Sequence, residues 1–370
     1  MKSIAFGVCM ALVICGGLWA ESVGKAERSA NLSGPVAAAI DKGAKWLASE
    51  QGADGGWGQD GGETSYIRAS ERLESTGNDV ANTAVAALAL LQAGKQYQPN
   101  VDRAVDFILT RVETSPADGL AVTDAHGTQI QRKLGPYIDT FLTSMLLAQV
   151  DGTSAKPAQN ARVRRALEKC VAKIERNQKT DGSWNIAGGW APVLGTSLAS
   201  RSLYEAQQKG VRVEPVVMKK AESYTVNAIA GTGGTVSGVA GGVYAMPAPA
   251  EAAGVPLYQS AQALEQLSRT DADRQKNAKE IERIRTQLAD TRFVDGFGSI
   301  GGEEFFSYLN VSDGLKRAGG DQWSKWHSQI SDKILNLQNS DGTWAGHHCI
   351  TGRVAVTSAA ILNLTVDATN

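Results

Sequence analysis

The residues with the most chemistry to offer stand in a row near the C-terminus: His347, His348 and Cys349. Imidazole nitrogen and thiolate sulfur are the donors that zinc takes in tetrahedral sites, and a carboxylate completes several catalytic sets. Candidate carboxylates are Asp79, Asp139, Glu303 and Glu304, each at the start of a stretch that reads as a helix. In one use, Cys349 with His347 or His348 and a carboxylate such as Asp139 or Glu303 holds zinc and leaves a position for water or substrate. In a second, Cys349 is a nucleophile. Its thiolate is favoured by His348 and by the N-terminus of the following helix, with Glu304 as the carboxylate of the set and Arg353 on an anion. The plainer alternative, a structural thiol beside two histidines that hydrogen-bond backbone, is the one either use must displace.

Whether such residues meet depends on the elements that carry them. Three segments share the pattern Gln-x-x-Asp-Gly-x-Trp: Gln51, Asp54, Gly55, Trp57; Gln178, Asp181, Gly182, Trp184; and Gln338, Asp341, Gly342, Trp344. Each follows a helix-like stretch. The Gln ends the helix, Asp-Gly makes a turn with glycine at positive φ, and the Trp folds back while its indole N–H finds an acceptor. Between the motifs, polar helices alternate with apolar ones rich in small residues. The polar set is Val36–Glu50, Val101–Val112, Val163–Asn177, Pro215–Ala230, Asp271–Arg292 and Gln322–Leu337. The apolar set is Asp79–Gln92, Tyr137–Val150, Thr196–Gln208, Leu257–Leu267, Glu303–Lys316 and Val354–Val366. Apolar residues on most sides mark the second set as buried. Six outer and six inner helices predict an all-α closed ring, with no alternating run that competes for a sheet.

These repeated turns resemble the QW motif of the terpenoid cyclase and protein prenyltransferase superfamily, which includes the squalene–hopene cyclases. The resemblance implies an (α/α)6 toroid over about Val36 to Val366. The stretches Gly296–Ser299, Gly302–Phe305 and Trp344–Arg353 further resemble bacterial secreted prenyltransferase or squalene oxidase repeat proteins. Squalene-type cyclases protonate an alkene with an Asp-x-Asp-Asp motif; here the nearest string, Asp271-Ala272-Asp273-Arg274, begins an outer helix and reads as a helix cap. With 6% aromatic residues the chain is also poor in the rings that steady carbocations. Cyclase chemistry is therefore disfavoured. Protein prenyltransferases hold zinc through Asp, Cys and His at inner-helix ends, and the matching residue types are present here although the Asp-x-Cys portion is missing.

Composition narrows the partners. The chain has 370 residues, 42% apolar, with 37 basic against 38 acidic residues, so no electrostatic footprint speaks for nucleic acid. Lys2, the apolar run from Ile4 to Trp19 and Ala20-Glu21 read as a secretory signal over residues 1–20, then a linker over 21–35 and the toroid over 36–370. The expected location is extracytoplasmic, periplasmic or secreted, with no stable membrane span after cleavage. Cys9 and Cys15 leave with the signal, and such a compartment permits a bridge between Cys170 and Cys349. Gly231 to Gly242 reads as an eroded fourth turn, and the Asp54–Asp60 loop lacks the closing Glu of a calcium loop. His126 and His327 read as solvent-exposed. Two functions stay open: a module binding an apolar small molecule, such as an isoprenoid or another lipid, or a polypeptide segment in the ring; or an enzyme using the His347–Cys349 cluster. Zinc is the cofactor that the cluster suits.

Overall fold

The computed structural model describes residues 32, 34–59, 77–184, 192–230, 263–288 and 301–368. The signal-like segment and the Gly231 to Gly242 stretch lie outside the described residues, as does Asp60. The outer helices are α1 (Gly34–Ser49), α3 (Gln98–Thr114), α6 (Pro157–Arg176), α8 (Pro215–Ala230), the pair α9 (Asp271–Lys276) and α10 (Ala278–Leu288), and α12 (Asp321–Asn336). Alternating with them are inner helices α2 (Val80–Ala93), α5 (Ile138–Val150), α7 (Pro192–Gln208), residues 263–267, α11 (Gly302–Ala318) and α13 (Arg353–Thr365). The chain is an all-α toroid of outer and inner layers.

Burial follows the residue spacing. Helix α1 buries Ala39, Ile40, Gly43, Ala44 and Leu47, one stripe at helical spacing, whereas α2 buries every residue from Val80 to Leu90. Around the ring α7, α5, α2, α13 and α11 pack in succession. Residues 263–269 close the gap: Arg269 donates to Ser200 Oγ of α7 at 3.2 Å, Arg317 of α11 lies 3.7 Å from Glu265, and Arg201 of α7 pairs directly with Asp313 of α11.

The three turns repeat one set of bonds. Each indole N–H donates to a carbonyl ten residues back, Leu47, Ile174 or Ile334, at 2.7–2.8 Å, covering an end-of-helix acceptor. Each Trp backbone N–H donates to an inner-helix threonine, Thr83, Thr196 or Thr357. Each Gln amide donates to the carbonyl of its own Gly55, Gly182 or Gly342, and again to the next outer helix, at Asn100, Val217 or Ala39. The last of these joins the third turn to the first helix and closes the ring. The glycines have φ of 88, 90 and 92°, a left-handed conformation in which a side chain is strained.

Several elements differ from expectation. The fifth outer helix breaks at Asn277, which caps α9, and Thr270 with Asp273 forms the capping box that starts it, so Asp273 serves the helix end. A short helix, α4 (Gln129–Leu134), sits in the long connection before α5 behind its own Thr128–Gln131 capping box. A two-residue ladder also forms, β1 (Trp57–Gly58) antiparallel to β2 (Asn78–Asp79), with Trp57 opposite Asp79. Of the predicted Leu257–Leu267 helix, residues 263–267 are described and helical. Among the described residues no helix is long and apolar enough to cross a membrane.

Candidate metal centre at the inner-helix rim

Because each outer helix runs one way and each inner helix returns, the inner N-termini gather at one rim. Asp79 is the N-cap of α2, Asp139 is the second residue of α5, Glu303 and Glu304 lie in the first turn of α11, and residues 346–352 lead into α13. Of these, Glu303, His348 and Cys349 come together: one donor atom from each lies within 4.8 Å of the others. His348 Nδ1 is 3.4 Å from Glu303 Oε1. Glu303 is buried, and its Oε2 has no hydrogen-bond partner among the described residues. A carboxylate oxygen taken from water without a donor calls for a cation or a proton. His347 and Asp139 are not in this group.

The loop reaches Glu303 through close backbone approach. A Cβ on either Gly346 or Gly302 would come within 2.0 Å of the Ile350 carbonyl, so only glycine lets residues 346–350 fold onto the start of α11. Cys349 has φ 61°, the one non-glycine residue at positive φ among the described residues. Such a conformation costs about 1–3 kcal/mol and tends to accompany function. Cys170 is fully buried on α6, where burial pushes its thiol up to about 12, and it forms no disulfide with Cys349.

The other carboxyls are raised. Burial pushes Glu304 up to about 8, with the neighbouring Glu303 charge adding to it; the Tyr308 hydroxyl donates to Glu304 Oε2 at 3.1 Å and Lys333 Nζ donates to the Tyr308 oxygen at 3.0 Å. Asp139 is pushed up to about 7, chiefly by burial and also by Asp79, although Gln131 Nε2 donates to its Oδ2 at 2.8 Å. Asp79 is raised by burial while it accepts from the Asn82 backbone and amide at 2.8 Å. His347 is half-buried and lowered, first by burial and then by His348. Arg353, expected on an anion, lies 3.5 Å from Asp341 of the third turn and over the Trp46 ring at 5.2 Å. His126 is exposed as expected, whereas His327 is half-buried, its ring 4.8 Å from Trp323, and burial lowers its pKa.

Sequence reasoning passed over Tyr308 and Lys333, although Glu304 and Tyr308 stand at i,i+4 on one helix face. It also passed over Gln131, although Thr128-x-x-Gln131 has the spacing of a capping box, and Gln129, for which no local pattern exists.

The family model for the squalene–hopene cyclase C-terminal domain matches residues 21–127. Squalene–hopene cyclase of Bradyrhizobium diazoefficiens is 41% identical over 70 residues, 19% of this chain and 10% of that enzyme. The matched stretch thus spans about a tenth of that relative's length. Among solved structures, an inactive variant of an alpha-1,6-mannanase from Salegentibacter sp. HEL1_6, in complex with alpha-1,6-mannotetrose, has a TM-score of 0.53 at 7% identity, covering 90% of this chain and 98% of that one. A type II terpene cyclase from Scytonema in complex with merosterolic acid A gives 0.37 at 11% identity, covering 94% and 99%. The mannanase likeness is one of fold, an α/α toroid. The terpenoid cyclase-like resemblance carried by the turn motifs is supported in sequence over the first third of the chain.

Proposed function

We propose that this terpenoid cyclase-like toroid is an exported zinc-dependent enzyme, acting at its inner-helix rim on an apolar substrate received by the ring. The observation that carries the reading is the meeting of Glu303, His348 and Cys349, brought from two segments 45 residues apart in sequence. One carboxylate, one imidazole and one thiolate form a donor set that zinc accepts, and the unpartnered Glu303 Oε2 fits a cation. Three protein donors, with no fourth in the group among the described residues, match a catalytic site better than a closed structural one. Zinc held there would supply Lewis acidity to a thiol, carbonyl or phosphoryl group in the remaining position.

The neighbouring residues have their own roles in this reading. Burial raises the Glu304 carboxyl to about 8; it accepts from the Tyr308 hydroxyl, and Lys333 fixes the Tyr308 oxygen from the other side. Acid and base work by such a group needs a pKa near the working pH. The positive φ at Cys349 and the closeness of its sulfur to the Glu303 and His348 donors support a ligand role over a plain structural thiol.

The test is native mass spectrometry of residues 21–370 purified without chelators, beside Cys349→Ala and His348→Ala. One zinc per chain that both variants lose is the expected result. A metal-free protein that retains an apolar mass would overturn the enzyme reading and leave a binding module.

A further inference from the structure

We propose that Gln129 is the positioning residue of the zinc loop, holding His348 and Cys349 against Glu303 from a different part of the ring. The inference rests on the zinc reading above. Residues 345–352 have two ends to fix. The upstream end is Trp344, tied to Ile334 and Thr357 by the third turn. The downstream end is Thr351–Gly352, where α13 begins, and Gly352 in the N-cap position brings no side-chain cap. Local sequence therefore leaves the direction of the loop into the helix unset.

Gln129 sets it from 222 residues away. Its Oε1 accepts the Thr351 N–H at 2.9 Å and the Gly352 N–H at 3.1 Å, while its Nε2 donates to Thr351 Oγ1 at 2.7 Å. Gln129 is in turn held by its own backbone N–H, which donates to Gln59 Oε1 at 2.6 Å, just past the first turn. Both glutamines and Thr351 are buried, so these bonds are shielded from water and hold one geometry. Gln131, one residue beyond its neighbour on α4, binds Asp139, so the short helix lies across the rim and joins three of its segments. Groups that orient metal ligands commonly matter 10–100-fold to affinity, about the effect expected here.

The experiment measures Zn(II) affinity by competition with a chromophoric chelator and records the thiolate-to-cobalt charge-transfer band of the Co(II)-loaded protein. The proteins are wild type, Cys349→Ser, Gln129→Leu, Gln129→Glu and Gln178→Leu. Glutamate keeps an acceptor for both N–H groups, at a helix N-terminus that favours negative charge. Gln178→Leu deletes a comparable amide pair in the second turn, away from the loop. The expected pattern is binding in wild type and none in Cys349→Ser. Gln129→Leu binds at least tenfold more weakly with a shifted cobalt band, Gln129→Glu binds within about threefold of wild type, and Gln178→Leu loses melting temperature but not affinity. Wild-type affinity and spectrum in Gln129→Leu overturn the positioning role and leave the zinc reading standing. Equal weakening in Gln178→Leu also overturns it, since general loosening would then suffice. If wild type binds no zinc, the zinc reading fails and this proposal falls with it. Should Gln129→Leu not fold, Gln129→Glu and Thr351→Val carry the comparison: an unaltered cobalt band in Thr351→Val overturns the proposal, and a shifted one supports it.

Discussion

In the second and third turns, Asp181 and Asp341 sit against backbone N–H groups and hydroxyls of Ser183 and Thr343, and at the rim Asp139 and Glu304 sit against other acids. Burial acts to raise the turn carboxylates too, yet the donors of Ser183 and Thr343 hold both below the usual range. Asp139 accepts from the Gln131 amide and Glu304 from the Tyr308 hydroxyl, each beside another carboxylate, and burial carries them up to about 7 and about 8. One residue class thus serves two purposes. Where the hydrogen bonds close on themselves, the acid stabilises a turn; where they do not, each open buried atom costs about 1–3 kcal/mol unless an ion, a proton or a ligand completes it. On the zinc reading proposed above, stability resides in the turns and chemistry at the rim.

Breaking that division takes paired variants. The largest effect is expected from Trp344→Ala, which empties a fully buried site and removes the bond to Ile334, at a cost of about 3–5 kcal/mol by denaturant unfolding. A rim variant with a comparable loss would end the distinction. Next comes Gly182→Ala: its φ is 90° and a Cβ would stand 2.3 Å from the Lys220 carbonyl, a backbone atom that cannot step aside. The expected cost is about 1–3 kcal/mol. The comparison sharpens with Cys349→Gly, where glycine accepts φ 61° without strain and the fold gains about 1 kcal/mol while zinc binding is lost. A destabilised Cys349→Gly would assign the thiol to packing.

Much of this architecture is legible along the chain because its causes are local. Helix α6 shows its buried stripe at Val163, Ala166, Leu167, Cys170, Val171 and Ile174, and the turns announce themselves because indole and acceptor are ten residues apart. The break at Asn277 was hidden, since the charged pattern continues across it. Six residues are too few for α4 to show a period. The rim was half legible. Residue types pointed to His347, His348, Cys349 and four carboxylates, and a ring brings helix starts together. Selecting Glu303 and His348 depends on the backbone at Cys349 and on glycines that admit the Ile350 carbonyl, neither of which leaves a periodic trace. The Gln129 bonds span 222 residues, so nothing near either end signals them.

The effect most diagnostic of the rim is near zero at low pH and grows with nothing but pH. Asp139 has an ordinary carboxyl value of 3.8 when unfolded and about 7 when folded, so the folded chain binds the extra proton between those values. Stability from the neutral carboxyl is therefore complete below about pH 4 and is lost as pH rises through 7. Asparagine is neutral throughout and keeps an oxygen for the Gln131 amide. Asp79 is the charge that adds to the rise, and the Gln131 amide, with the backbone N–H groups of Asp139 and Ala81, opposes it. Asp139→Asn should accordingly match or fall slightly below wild type at pH 4 and exceed it by up to about 4 kcal/mol at pH 8. Urea unfolding at both values measures the difference. A gap that does not change with pH would mean that Asp139 is already ionised in the folded protein, stabilised by a cation its surroundings must then supply, and the rim would hold two charged centres in place of one.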